Sequence, residues 1–327
     1  MAFLYIIVGL VLIFDFINGF HDSANSIATV VSTKVLSPLA AVAMAAFFNF
    51  IAFLVFPLKV ATTMGNVVNP EIINLNVIGA ALIASITWNL ITWWLGLPSS
   101  SSHTLVGGLV GAAVASSGFG SVVFSTVLKI ISFIFIAPVM GMIFSFFLSS
   151  ITIWIFRKVP PFMVDKYFRR FQLISASAFS LGHGGNDAQK SMGIIWAAMI
   201  ISGLTTKDTK IATWVVLSCQ AAIALGTLFG GWRIVKTMGQ RITKIKPFEG
   251  FCAETAGAVT LFAATHWGIP VSTTHTITGA IIGVGARKGV SAVKWGVTTK
   301  IFWAWILTIP ISATIGAIMY LFFNWIN

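Results

Sequence analysis

Polar residues are scarce along this chain, and they recur in the same order twice. Apolar stretches run near residues 2–34, 38–57, 75–97, 99–117 and 122–156, and a second set near 173–203, 210–231, 248–267, 270–287 and 297–326. A spanning helix needs about 20 apolar residues, so the pattern predicts an all-α polytopic membrane protein. The first and last stretches of each set are long enough to be tilted or broken. The fourth, 99–117 and 270–287, is short and either spans or re-enters.

The polar residues show the repeat. Gly19-Phe20-His21-Asp22 is answered by Gly184-Gly185-Asn186-Asp187. An offset of 165 also carries Phe14 onto Phe179 and Ser26 onto Ser191. Pro98, four serines (Ser99, Ser100, Ser101, Ser102), His103 and Thr104 are answered by Pro270, Val271, Ser272, Thr273, Thr274, His275 and Thr276. The offset is then 172, and it takes Gly107 and Gly111 onto Gly279 and Gly283. Lys129 and Pro138 find partners in Lys300 and Pro310. Apolar sequences match one another by chance at Leu and Ile, but not at Asp, His and Pro.

Composition agrees. Of 327 residues, 57% are hydrophobic and 9% charged, against about 25% charged in a soluble domain; mean hydropathy is +0.95. The 20 Lys+Arg against 8 Asp+Glu do not indicate nucleic acid, because the basic residues cluster between apolar spans, as cytoplasmic loops do. Three regions follow: repeat 1 at 1–156, a short basic cytoplasmic linker at 157–172, and repeat 2 at 173–327. The linker (Arg157, Lys158, Lys166, Arg169, Arg170), the stretch Arg233–Lys246 and the cluster Arg287, Lys288 and Lys294 are all placed in the cytoplasm by five crossings per repeat. Both termini are then outside. An odd number of crossings turns the second repeat upside down, an inverted-topology architecture with its site near the midplane. The stretch Met1–Leu12 reads as the first span and not as a removed signal peptide. Cys219 and Cys252 are not expected to pair.

The chemistry concentrates at the repeated motifs. Asp22 and Asp187 fall in mid-span, where a carboxylate costs about 2.5–3.5 kcal/mol on insertion scales. Each is flanked by glycine, which weakens a helix by about 1 kcal/mol relative to alanine, so a broken helix with freed carbonyls is expected at both. The hydroxyl clusters follow a proline and precede glycine-rich helices, the pattern of capped helix starts. A helix start offers unpaired N–H groups to an anion. Two carboxylates repel an anion, and Lys190 is the one basic residue at the motifs. Small cations supply the balance: sodium suits an oxygen-rich site, and protons on the aspartates serve equally. Cation-coupled anion uptake follows.

His21, His103, His183 and His275 sit beside the motifs. His103 and His275 are expected to orient the hydroxyl turns by hydrogen bonding. Glu254, an acid in an apolar stretch, reads as functional. Asn49 and Gln220 read as helix–helix hydrogen bonds. Neither motif supplies a two-histidine zinc spacing or a nucleophile–base pair, so an intramembrane enzyme is disfavoured.

The paired Gly-x-x-Asp segments, the second continuing Asn186-Asp187-Ala188-Gln189-Lys190, and the two Pro-to-His-Thr segments resemble the signatures of the inorganic phosphate transporter (PiT) family over essentially the whole chain. The resemblance implies secondary uptake of inorganic phosphate, driven by sodium in some members and by protons in others, with exofacial termini. It implies phosphate contacts from Asp22, Asn25, Ser101, Ser102, Thr104, Asp187, Gln189, Lys190, Thr273, Thr274 and Thr276. Sodium contacts are expected from Asn18, Asp22, Ser100, Asn186, Asp187 and Ser272, and a transport role for His103, Glu254 and His275. Two departures stand out. Phe20-His21-Asp22 replaces the family's Ala-Asn-Asp, and the central loop is short. The expected protein is a sodium-coupled phosphate symporter of the plasma membrane working by alternating access. It has sodium as coupling ion, no cofactor, a lipid bilayer around it, no nucleic-acid partner, and an architecture that accommodates a homodimer. Proton-coupled phosphate or metal-phosphate carriers and sulfate permeases of the same family are the alternatives.

Overall fold

The computed structural model describes residues 2–326. Among them the chain forms twelve α-helices. Repeat 1 supplies α1 (Ala2–Ser32), α2 (Pro38–Ile51), α3 (Lys59–Gly65), α4 (Leu75–Leu95), α5 (Ser101–Ser117) and α6 (Phe124–Phe156). Repeat 2 supplies α7 (Pro161–Ile201), α8 (Thr213–Phe229), α9 (Trp232–Lys236), α10 (Pro247–His266), α11 (Thr273–Lys288) and α12 (Trp295–Ile326). By length and composition α1, α4, α6 and α12 each suffice to cross a membrane, as do the bent pairs α2–α3 and α8–α9. The basic stretch 157–172 is largely not a loop: α7 begins at Pro161.

The helix breaks are not where the glycines beside the aspartates predict them. Both α1 and α7 run unbroken through Asp22 and Asp187. The breaks fall in the second stretch of each repeat, with bends of 87° after α2 and 61° after α8. Pro57, which lacks an N–H and restricts Phe56, lies at the first. Gly230, at φ +67°, lies at the second. Gly19 and Gly184 serve packing instead. A Cβ on Gly19 falls 2.2 Å from the Ile223 carbonyl oxygen of α8, and one on Gly184 falls 2.4 Å from that of Asn49 in α2. Close backbone approach at small residues is how membrane helices associate, and it outweighs the loss of helix propensity.

The two halves are antiparallel. Leu4 and Val8, at the start of α1, share a pocket with Met199 and Leu204 at the end of α7. At the other end Arg169 donates to the Lys34 carbonyl at 2.5 Å and Thr33 donates to Gln172 at 2.9 Å. Within each half, the third and fourth apolar stretches form a helical hairpin. A bridge between Val68 and Val122 closes the base of the first, and the Lys294 N–H to Ile242 carbonyl bond (2.9 Å) closes the second. The helices α5 and α11 have 17 and 16 residues, roughly 25 Å at 1.5 Å per residue, which is short of a full span. Both start inside the protein. Each then packs on the last helix of the other half, α5 on α12 and α11 on α6.

These crossings tolerate no side chain. A Cβ on Gly111 falls 1.9 Å from the Ala313 carbonyl oxygen, whereas one on Gly120 meets nothing within 4 Å. Overpacking of this kind costs about 1–3 kcal/mol. Gly111→Val is therefore expected to lower the thermal unfolding midpoint in detergent, and Gly120→Ala to leave it unchanged.

Candidate functional site

Because α1 and α7 pass one another antiparallel, their equivalent aspartates face each other. Asp22 and Asp187 are 3% and 1% exposed. One ligand atom from each, with one from His183, lies within 4.8 Å of the others. Each carboxylate also has its own imidazole. His21 Nδ1 sits 2.6 Å from Asp22 Oδ1, and its Nε2 sits 3.1 Å from Thr92 Oγ1 of α4. His183 Nε2 sits 3.0 Å from Asp187 Oδ2, and its Nδ1 lies 3.1 Å from Asn49 Oδ1. Asn49 in turn donates to Thr227 at 2.9 Å, tying α2 to α8 as its mid-span position predicts. The groups behind both imidazoles, Thr92 and Asn49, thus come from other helices.

The hairpin turns close over this pair. Ser100 and Ser272 cap α5 and α11, accepting from the backbone N–H of His103 at 3.3 Å and His275 at 3.2 Å. The remaining first-turn N–H groups have no intrahelical acceptor. Ser102 Oγ reaches the Val271 carbonyl at 3.4 Å, so the two helix starts touch. Lys190 joins the motifs: its ammonium donates to Asp187 Oδ1, to Ser102 Oγ and, at 2.7 Å, to the Val271 carbonyl. Thr273 donates to Asp187 Oδ2 at 3.0 Å. Asn25 Nδ2 donates to Thr274 at 2.9 Å and Thr273 at 3.2 Å, leaving Asn25 Oδ1 without a protein partner, as is Ser101 Oγ. With the imidazoles counted as neutral, two carboxylates and one ammonium leave one negative charge in a closed, low-dielectric volume. An anion enters such a place only with added positive charge.

Seven of the residues singled out by sequence therefore meet at one point: Asp22, Asn25, Ser102, Asp187, Lys190, Thr273 and Thr274. Others have different employment. All three hydrogen bonds of the Asn186 amide go to the α10–α11 turn: to Thr265 at 3.0 Å, to the Ile269 carbonyl at 3.2 Å and from the Val271 N–H at 3.2 Å. Gln189 accepts from Val60 and Ala61 N–H at 3.0 and 3.3 Å and donates to the Pro57 carbonyl at 3.0 Å. It thereby satisfies the orphan groups at the α2–α3 break. Ser23 does the same across the repeat, accepting from Gly231 N–H at 2.5 Å. Thr104 donates to the Ser101 carbonyl and to Asn89, at 2.6 and 3.1 Å, and Thr276 to the Ser272 carbonyl at 2.9 Å.

The rings of His103 and His275 do not hydrogen-bond the hydroxyl turns. They lie 4.8 Å apart, centroid to centroid, and His275 stacks on Trp305 at 3.9 Å, so they position the turns by packing. Glu254 is buried away from the aspartates, accepting from Thr29, Ser175 and, at 2.9 Å, Gln172. It ties α1, α7 and α10 together. Asn18 Oδ1 has no protein partner and lies near Asp15. Asp15 is a buried acid that the search for repeated motifs passes over, since its equivalent by the 165 offset is Ser180. The signal for it was plain: an acid inside an apolar stretch.

The chain matches the phosphate transporter family over residues 18–316. It is 57% identical to a probable low-affinity inorganic phosphate transporter of Rhizobium meliloti (strain 1021), covering 96% of both chains. It is 46% identical to a protein of the same description in Bacillus subtilis (strain 168), covering 96% of this chain and 95% of that one. Among solved structures it is similar to one described as the sodium-dependent phosphate transporter, with a TM-score of 0.88, 27% identity and complete coverage of both chains.

Proposed function

The chain belongs to the phosphate transporter family, and from that premise we propose that it imports inorganic phosphate together with sodium by alternating access. It is a transporter, not an enzyme. The observation that carries the reading is the meeting of Asp22, Asp187 and His183 within 4.8 Å at the point where two capped helix starts converge.

Phosphate binds between the first turns of α5 and α11. It accepts hydrogen bonds from first-turn N–H groups and from the hydroxyls of Ser101, Ser102, Thr273 and Thr274. Lys190 contributes one positive charge from α7. Sodium, carried as a co-substrate, is held by Asp22 and Asp187 and offsets their repulsion of the anion. Without it the carboxylates oppose phosphate entry, which makes the two solutes interdependent. Gln189, Asn186 and Ser23 are positioning residues that hold the breaks and the turn around the site.

The interleaved packing supports the motion. One group of α4, α5 and α12 and its counterpart of α10, α11 and α6 each combine helices from both halves. Rocking of these groups against α1 and α7 exposes the site to one face and then the other. On this reading the basic linker is cytoplasmic, as positive charge in loops suggests, and both termini lie on the other side of the plasma membrane.

Reconstituted in liposomes with an inward sodium gradient, the protein is expected to accumulate [32P]phosphate. Replacing sodium by choline at constant pH is expected to reduce the initial rate at least about tenfold. Uptake that persists in choline and collapses with a protonophore contradicts sodium coupling and favours a proton.

A further inference from the structure

Asp15 is 0% exposed, Asn18 2% and Ser191 0%. On α1, Asp15, Asn18 and Asp22 follow one another at helical spacings of three and four, so they share one stripe. On α7, Asp187 and Ser191 do likewise. The two helices are antiparallel, which sets Asp15 against Ser191 while Asp22 faces Asp187. Asp15 is about 10 Å along the helix from Asp22 at 1.5 Å per residue, on the side away from the basic linker.

No cation of the protein is paired with this acid among the described residues. Neither oxygen of Asp15 has a hydrogen-bond partner, and Asn18 Oδ1 and Ser191 Oγ are equally unpartnered and buried. Ser191 and Asn18 are the polar side chains that approach the carboxylate. Lys190 is committed to Asp187. Val11 and Phe14 of the same helix belong to a packed apolar cluster. A buried carboxylate left unpaired costs several kcal/mol. The duplication gives no structural reason for it, because the equivalent Ser180 satisfies itself by donating to the Ala176 carbonyl at 2.8 Å. Four converging oxygens are a ligand set for a hard cation.

We propose that Asp15, Asn18 and Ser191 form a second sodium site on the α1–α7 seam, separate from the one at Asp22 and Asp187. The inference rests on the sodium-coupled reading above. A cation here neutralises Asp15 and bridges the two helices that carry the substrate aspartates, so its occupancy sets their spacing before phosphate arrives.

The test is equilibrium binding of 22Na+ to the full chain in nanodiscs without phosphate, comparing wild type with Asp15→Asn, Ser191→Ala and Asp187→Asn. Asp15→Asn is expected to lose one sodium per chain while keeping the site that Asp187→Asn removes. Ser191→Ala is expected to weaken one class of site roughly tenfold, the scale of losing one supporting group at a metal site. Unchanged stoichiometry and affinity in Asp15→Asn overturn this inference and leave the main site standing. Should Asp15→Asn not fold, Ser191→Ala decides, and an unaltered sodium isotherm overturns the inference. A wild-type chain that binds no 22Na+ yet takes up phosphate overturns the sodium reading and this site with it.

Discussion

Asp187→Asn abolishes sodium-driven phosphate uptake while the protein stays folded: that is the largest single effect expected from the geometry. The change is nearly isosteric, and His183, Thr273 and Lys190 all retain a group to meet at that position. What disappears is the charge. Removing one partner of a buried charged pair costs about 3–5 kcal/mol, roughly 10²–10³-fold in affinity for a cation that depends on it. Initial rates of [32P]phosphate uptake in proteoliposomes read the loss, and gel filtration of the purified variant reads the fold. Uptake within a factor of two of wild type would remove Asp187 from the site.

Lys190→Met is expected to be the most destabilising substitution at the site. Its ammonium is 2% exposed and bridges Asp187, Ser102 and the Val271 carbonyl, tying α7 to both hairpin turns. Truncation leaves the carboxylate of Asp187 buried without its ammonium, again a penalty of about 3–5 kcal/mol. The double variant Asp187→Asn/Lys190→Met removes both charges and should recover most of the stability and none of the transport. Thermal unfolding in detergent of the wild type, both single variants and the double variant measures the coupling. Additive losses would mean that the two residues do not act as a pair.

Much of the fold was legible because the repeat is written in improbable residues. Asp22 and Asp187, and the Pro-to-His-Thr segments, have no reason to recur in apolar sequence unless the halves are equivalent. Antiparallel α1 and α7 and the paired hairpins follow from that. The location of the breaks was not legible, since Gly19 and Gly184 have the same composition signal whether they break a helix or admit a neighbouring backbone. Only the approach of Ile223 and Asn49 distinguishes the two.

The site was legible as a set of motifs but not as a division of labour. Gln189 and Asn186 look like ligands in sequence, yet their amides satisfy backbone groups more than 70 residues away. The link from Asn49 to His183 joins residues 134 apart and carries no local signal. Asp15 escaped because comparison of the halves finds what is duplicated, and this acid is not. Sequence suggests that His103 and His275 orient the hydroxyl turns by hydrogen bonding, whereas the meeting of two helix starts brings their rings against each other.

A cryo-EM map of the protein with sodium and phosphate bound tests most directly whether two inverted halves enclose one shared anion site. A tetrahedral density is expected within hydrogen-bond distance of the first turns of both α5 and α11, with a smaller density between Asp22 and Asp187. Tetrahedral density that touches only one of the two helix starts, or that sits remote from the aspartate pair, would contradict it.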